Sequence, residues 1–305
     1  MKRLLNCTAS DFEKMNKFDL IQSIQASEGR TLISEIVSSS VPLYPGLTNA
    51  EYASSFGADI ILLNIFDVNQ PHIEGLVNVK SNDVIRELKK LIGRPVGINL
   101  EPVDPEADQM EDLDVLPEGR RATKNTIEKA KDLGVDIICL TGNPKTGVSN
   151  KAILKSISVA NEVAGDDLVI IAGKMHGAGV KADTSEGLAD IDTIEKYVEA
   201  GADIILVPGV GTVPGATSEK TEKLIQAAHQ VGALALTTIG TSQEGSAKET
   251  IQQMALFNKM VGADVHHIGD AGLHGIAVPE NIMHYSIAIR GKRHTYTRMA
   301  ASIRR

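Results

Sequence analysis

Apolar and polar residues alternate along this chain in two patterns: short, nearly continuous apolar runs, and longer stretches with apolar positions every three or four residues. The runs share a phrase. Gly57-Ala58-Asp59-Ile60-Ile61-Leu62-Leu63 is echoed by Gly134-Val135-Asp136-Ile137-Ile138-Cys139-Leu140. It returns as Gly201-Ala202-Asp203-Ile204-Ile205-Leu206-Val207 and as Gly262-Ala263-Asp264-Val265-His266-His267-Ile268. Each glycine ends a stretch of helical periodicity, where a residue after the last turn takes up the left-handed conformation. Each run that follows reads as a buried parallel strand. The intervals of 77, 67 and 61 residues suit two strand–helix units rather than one.

The intervening strands are expected at Thr31–Ser38, Pro95–Val103, Leu168–His176 and Ala233–Thr241. Helices are expected at Thr48–Phe56, Asp83–Ile92, Thr123–Leu133, Lys151–Val163, Asp192–Ala200, Ser218–Val231, Ala247–Val261 and Pro279–Arg290. Eight strand–helix pairs in strict alternation predict an α/β fold, a TIM (β/α)8 barrel forming one domain over residues 1–305. A doubly wound open sheet is the rival architecture, and the four-fold repeat argues against it. Two segments extend the barrel. Residues 1–30 form an N-terminal helical cap, with Ser10 and Glu13 as a capping box, that plugs the bottom. Residues 102–118 form an acidic insertion after the third strand, carrying Asp104, Glu106, Asp108, Glu111, Asp112, Asp114 and Glu118. It reads as a solvated loop placed where a lid would sit.

Strand side chains alternate between barrel interior and helix layer. Val96, Ile98 and Leu100 make a helix-facing set that sends Asn99 and Glu101 inward. The same parity assigns Val169, Ile171 and Met175 to the helices, with Lys174 and His176 inward. Asn64, Thr141, Pro208 and Gly269 share one inward layer, above Leu62, Cys139, Leu206 and His267. Glu35 points inward, because a carboxylate under helices would be costly. Glu35, Asn64, Asn99, Glu101, Thr141, Asn143, Lys174, His176, Thr238 and His267 then ring the C-terminal mouth, more polar groups than a barrel needs for structure.

This ring suits acid–base chemistry by Glu35 and Glu101, with His176 as proton shuttle. Lys174 is either a Schiff-base nucleophile or a cation paired with a carboxylate. Asn64, Asn99, Thr141, Asn143, Thr238 and His267 are the candidate substrate-binding groups. Small residues after the last two strands (Gly240, Thr241, Ser242; Gly269, Asp270, Gly272) form a candidate phosphate pocket of backbone N–H groups. Mg²⁺ on Glu35, Asp67 or Glu101 is the one metal considered, without a diagnostic spacing. No paired-histidine motif, cysteine triplet or carboxylate pair of the retaining-glycosidase kind is present.

Composition narrows the partners. The chain has 305 residues, 42% hydrophobic and only 3% aromatic, with 31 Lys+Arg against 39 Asp+Glu for a net charge of −8. That disfavours nucleic acid and stacked or sugar-lined clefts. Two cysteines, Cys7 and Cys139, and no long apolar segment predict a reduced, cytoplasmic protein without membrane contact. The basic C-terminal stretch (Arg290, Lys292, Arg293, Arg298, Arg304, Arg305) reads as a solvated helix face, or as a dock for a neighbour's acidic loop, and a homo-oligomer is expected.

The Gly-Ala-Asp-Ile-Ile-Leu phrase and the turns at Gly240–Gly245 and Gly269–Gly275 resemble phosphate-binding TIM barrels, the class of ribulose-phosphate-binding and tryptophan-synthase-α-like enzymes. Leu43-Tyr44-Pro45-Gly46-Leu47-Thr48-Asn49-Ala50 and Leu62-Leu63-Asn64-Ile65-Phe66-Asp67 resemble a bacterial group labelled phosphoenolpyruvate-phosphonomutase-like. The mutase nucleophile loop has no counterpart, since Lys174-Met175-His176-Gly177 differs from it, so the resemblance implies fold and not reaction. The combined expectation is a lyase or isomerase acting on a small anionic, phosphorylated metabolite. The alternatives are an FMN-dependent oxidoreductase using the same phosphate pocket, and a non-catalytic metabolite-binding barrel.

Overall fold

The computed structural model describes residues 2–108, 112–180, 188 and 190–305; Glu111 of the acidic insertion lies outside them. Eight strands close in sequence order into a parallel barrel: β1 (Thr31–Val37), β2 (Ile60–Asn64), β3 (Val96–Leu100), β4 (Ile137–Leu140), β5 (Val169–Gly173), β6 (Ile204–Pro208), β7 (Leu234–Ile239) and β8 (Val265–Ile268). Closure runs through the parallel pairing of Thr31–Ser34 with Val265–Ile268. After α1 (Ala9–Phe12) and α2 (Lys17–Gln25) come the outer helices α3 (Asn49–Ser55), α4 (Val84–Ile92), α5 (Lys124–Leu133), α6 (Asn150–Ala164), α7 (Ile191–Glu199), α8 (Ser218–Gln230), α9 (Lys248–Met260) and α10 (Pro279–Ala300). The architecture is the TIM barrel expected from the repeat.

Apolar residues form two layers. Leu32, Ile61, Ile98, Ile138, Ile170 and Ile205 face the helices. Ile33, Leu62, Cys139, Ile171, Leu206 and Leu236 fill the interior together with Leu4, Phe12, Leu20 and Ile24 of the N-terminal segment, which therefore plugs the barrel. The caps of that segment differ from the expected Ser10–Glu13 pair. They are Thr8 with Asp11 and Asn16 with Asp19, because α1 already includes Ser10.

The repeated aspartates explain the phrase that carries them. Each receives the backbone N–H of a residue at the start of the preceding odd strand: Leu32 on Asp59 (2.9 Å), Val96 on Asp136 (2.8 Å), Ile170 on Asp203 (2.8 Å) and Ala235 on Asp264 (2.9 Å). In return each aspartate N–H donates to the carbonyl of that same residue. Each carboxylate also meets a basic side chain. These are Arg290 and Arg298 for Asp59, Lys89 for Asp136, Lys17 for Asp203 and His229 for Asp264. The repeat is a set of four polar clamps at the bottom of the barrel, where strands begin.

The expectation of a solvated basic C-terminal face changes at two residues. Arg290 and Arg298 are buried rather than solvated, at 2.5 and 2.7 Å from the fully buried Asp59. Arg298 also donates to the carbonyls of Cys7 and Leu4, tying α10 to the N-terminal plug. Burial alone would raise the Asp59 carboxyl, but the two guanidiniums hold it below its ordinary value.

Candidate active site

The strands' C-terminal ends open into a cavity of about 500 Å³, whose lining includes Glu35, Asn64, Asn99, Thr141, Asn143, His176, Thr241, Ser242, Glu244 and Asp270. Its floor is an amide network. Asn99 Nδ2 donates to Glu35 Oε1 (2.6 Å) and to Asn64 Oδ1 (3.1 Å). Asn64 and Asn143 exchange side-chain hydrogen bonds at 2.8 and 2.9 Å, and Asn64 Nδ2 also donates to Asp270 Oδ2 at 2.8 Å. Glu35 Oε2 lies 3.1 Å from His267 Nε2. Asn64 and Asn143 are thus largely committed to one another. Asn99 Oδ1 and Thr141 Oγ1, both buried on the cavity wall, have no hydrogen-bond partner among the described residues.

Asp270 is the titratable centre of this network. Burial, reinforced by the negative charge of Glu35, raises its carboxyl to about 7, and the bond from Asn64 offsets only part of that. His176 moves the other way. Burial and then the charge of Lys174 lower its imidazole to about 4, so it is neutral at pH 7. Its Nδ1 accepts the Ala178 N–H at 3.1 Å, which puts its proton on Nε2. Ile65, Lys145, Ala178 and Ser242, in the loops beside these groups, all adopt positive φ. Strained backbone of this kind, most notable in a β-branched residue, clusters at functional sites.

Several expected members stand elsewhere. Lys174 is 1% exposed and donates to Val148 O (2.7 Å) and Gly177 O (3.2 Å), away from the cavity lining. The cause is β5 itself: Val169, Ile171 and Met175 lie in the interior, and Ile170 and Ala172 under the helices, the reverse of the expected parity. His176 reaches the cavity because the strand ends at Gly173 and the chain turns. Glu101 pairs with Arg120 (2.5 Å) and accepts the Asn143 N–H (3.0 Å), so it supports the wall rather than lining it. Thr238 donates to Val207 O at 3.2 Å and is buried.

The turns after β7 and β8 also differ from a phosphate pocket. Glu244, 1% exposed, folds into them, and its carboxyl, which burial raises, feels the N–H dipoles of its own residue and of Ala271 as a smaller opposing effect. A Cβ on Gly269 would stand 2.4 Å from Glu244 Oε1, and one on Gly240 would stand 2.0 Å from Met175 Sδ. A Cβ on Gly272 would stand 2.6 Å from Val278 N. Thr241 Oγ1 bonds Thr212 O (2.8 Å) and the Gln243 side chain (2.6 Å). The small residues make room for this chain's own groups, and a carboxylate stands in the turns expected to hold phosphate. The same observation stands against the phosphate of FMN.

The carboxylates considered for Mg²⁺ are dispersed. Asp67 accepts the N–H groups of Asn69 and Gln70, while Glu35 and Glu101 have the partners given above. Among the described residues no group of three or more His, Cys, Asp or Glu is placed to hold a metal ion. Among them, too, no helix is long and apolar enough to cross a membrane. The acidic insertion reaches the cavity rim: Asp114 N donates to Lys145 O (2.8 Å), and Ser149 Oγ to Asp104 Oδ2 (2.5 Å).

A closed eight-stranded parallel barrel with its polar cavity at the strands' C-terminal ends defines a TIM-barrel protein. The chain belongs to the family described as Domain of unknown function (DUF7916), which matches residues 5–305. No curated protein matches it. Among solved structures it is similar to an archaeal fructose 1,6-bisphosphate aldolase, at 13% identity over 90% of this chain and 99% of that one, with a TM-score of 0.56. It is also similar to 2,3-dimethylmalate lyase, a PEP mutase/isocitrate lyase superfamily member, at 15% identity over 86% and 81%, TM-score 0.50. A third is the carboxyl transferase domain of Rhizobium etli pyruvate carboxylase, at 11% identity over 96% of this chain and 53% of that one, TM-score 0.52. These likenesses show the shared barrel.

Proposed function

We propose that this protein is an acid–base enzyme, a lyase or isomerase, that transfers protons on a small polar substrate held in the mouth cavity. The observation that carries this reading is the convergence on one cavity of Asp270, Glu35 and neutral His176 with two buried, unpartnered atoms, Asn99 Oδ1 and Thr141 Oγ1. A carboxyl that titrates near neutrality can both take and return a proton at working pH. Asp270 is the proton-transfer group, and Glu35 and the Asn64–Asn143 amide pair set its environment. His176 presents an N–H to a developing negative charge without itself ionising. A substrate hydroxyl or amine donates to Asn99 Oδ1, and a hydroxyl, amine or carbonyl pairs with Thr141 Oγ1; both atoms otherwise carry the cost of burial without a bond.

The test is incubation of the full chain with a small-molecule cell extract, followed by mass spectrometry, beside Asp270→Asn. The expected result is selective consumption of a polar compound by the wild type, and none by a folded Asp270→Asn protein. An extract unchanged by the wild type would overturn the catalytic reading and leave a metabolite-binding barrel. Equal consumption by Asp270→Asn would overturn the role given to Asp270.

A further inference from the structure

The charge and hydrogen-bonding balance of the mouth is one-sided. Three carboxylates, Glu35, Glu244 and Asp270, line the cavity, while Glu101 nearby is matched by Arg120. Among the described residues the one cationic side chain in that lining is the exposed Lys145; Lys174 lies outside the lining and His176 is neutral. Two of the three unpartnered atoms there in the described residues have the same bias, the third being the Thr141 hydroxyl, which can donate or accept. Glu244 Oε2 is a buried carboxylate oxygen with no partner, in a residue 1% exposed. Asn99 Oδ1 is an amide oxygen with no partner, and its orientation is fixed because Asn99 Nδ2 faces the Glu35 carboxylate. The amide oxygen can only accept, and the same holds for the Glu244 oxygen while its carboxyl is ionised. A phosphate dianion also only accepts, and would face carboxylates of its own sign rather than donors.

We infer that the substrate of this cavity is a small organic cation, a protonated primary amine, whose ammonium group sits at the β7–β8 end and donates to Glu244. The ammonium carries three N–H donors, enough for Glu244 Oε2 and for further acceptors beside it, while the rest of the molecule reaches across the cavity toward Asn99 Oδ1. Glu244 occupies the place where barrels of this architecture commonly hold phosphate, and converts an anion cradle into a cation subsite. Basic side chains gather instead at the opposite end, where Arg86, Lys89, Lys90, Arg94 and Arg304 border a separate cavity of about 610 Å³. This inference rests on the mouth being the functional site, but not on catalysis there.

The experiment is calorimetric titration of the full chain with ethanolamine and 1,4-diaminobutane, with potassium chloride and inorganic phosphate as comparators. Both diluted wild type and Glu244→Gln are titrated, with urea unfolding to show that each variant is folded. The expected result is saturable binding of at least one amine, weakened tenfold or more by Glu244→Gln and not reproduced by potassium. Glu244→Ala is expected to bind phosphate at least tenfold more tightly than the wild type, because the vacated N–H groups again face the cavity. No amine binding, equal amine binding in Glu244→Gln, or equal competition by potassium would overturn the inference. Phosphate affinity unchanged in Glu244→Ala would overturn the reading of Glu244 as occupant of the cradle. Amine binding that persists in a protein inert toward every extract would defeat the catalytic reading alone.

Discussion

The two ends of this barrel use carboxylates in opposite ways. At the bottom, Asp59, Asp136, Asp203 and Asp264 each hold a backbone N–H and each meet a basic side chain. At the mouth, Glu35, Glu244 and Asp270 meet amides, backbone N–H groups and a histidine, and Glu244 Oε2 meets nothing. The first arrangement fixes strands and leaves no chemistry to perform. The second keeps unneutralised charge in a confined space, which costs stability and creates a group that titrates near neutrality. Burial is shared by both ends. Even at the bottom it raises Asp203 above the ordinary aspartate value despite Lys17. What separates Asp59 from Asp270 is the cation: two arginines for the one, a neighbouring carboxylate for the other.

The largest break in this comparison comes from exchanging its strongest clamp. Asp59→Asn leaves two buried guanidiniums without a counter-charge, and is expected to lose about 3–5 kcal/mol of unfolding free energy in urea. Its sign with pH follows from the depressed native carboxyl: the clamp's contribution is present above the ordinary aspartate range and fades as pH falls through the native value. At the mouth the consequence falls on rate. Asp270→Asn is expected to lower turnover about 10²–10⁴-fold, measured on the compound the wild type consumes.

The same substitution has a stability effect of opposite sign. A carboxyl raised to about 7 makes the folded state retain a proton that the unfolded chain releases near pH 4, so wild-type stability falls as pH rises across that window. Asp270→Asn is expected to be more stable than the wild type at pH 8 and equal or less stable at pH 4, by urea unfolding at both. The smallest effect belongs to a partly exposed bottom pair. Lys89→Met, which removes the partner of Asp136, should change stability by no more than about 1 kcal/mol.

Much of the fold was legible because the Gly-x-Asp phrase repeats a physical unit, a helix stop followed by a clamped strand. Six of the ten mouth residues named from strand parity line the cavity: Glu35, Asn64, Asn99, Thr141, Asn143 and His176. Parity failed in β5 because Val169–Ala172 is apolar on both faces, so nothing within the strand shows whether Val169 and Ile171 face the helices or the interior. Lys174 and His176 both lie past the strand, which ends at Gly173, so neither follows its alternation. Glu244 was hidden for a different reason. Gly240–Ser246 matches an anion-binding turn in composition, and only tertiary structure shows that the loop's own carboxylate turns back into it. Its being the one charged residue in that segment was the available signal. Arg290 and Arg298 were read as surface because charge along a helix usually is, and nothing local announced the buried Asp59 that receives them.

A carbonyl ¹³C NMR titration of the aspartate carboxyls in the full chain tests the contrast between the two ends in a single spectrum. Asp270 is expected to titrate near 7, and lower in Glu35→Gln, where the neighbouring charge is removed. Asp59 is expected to stay ionised below the ordinary aspartate range. Titration of Asp270 at the ordinary value near 4, unmoved by Glu35→Gln, would contradict the account.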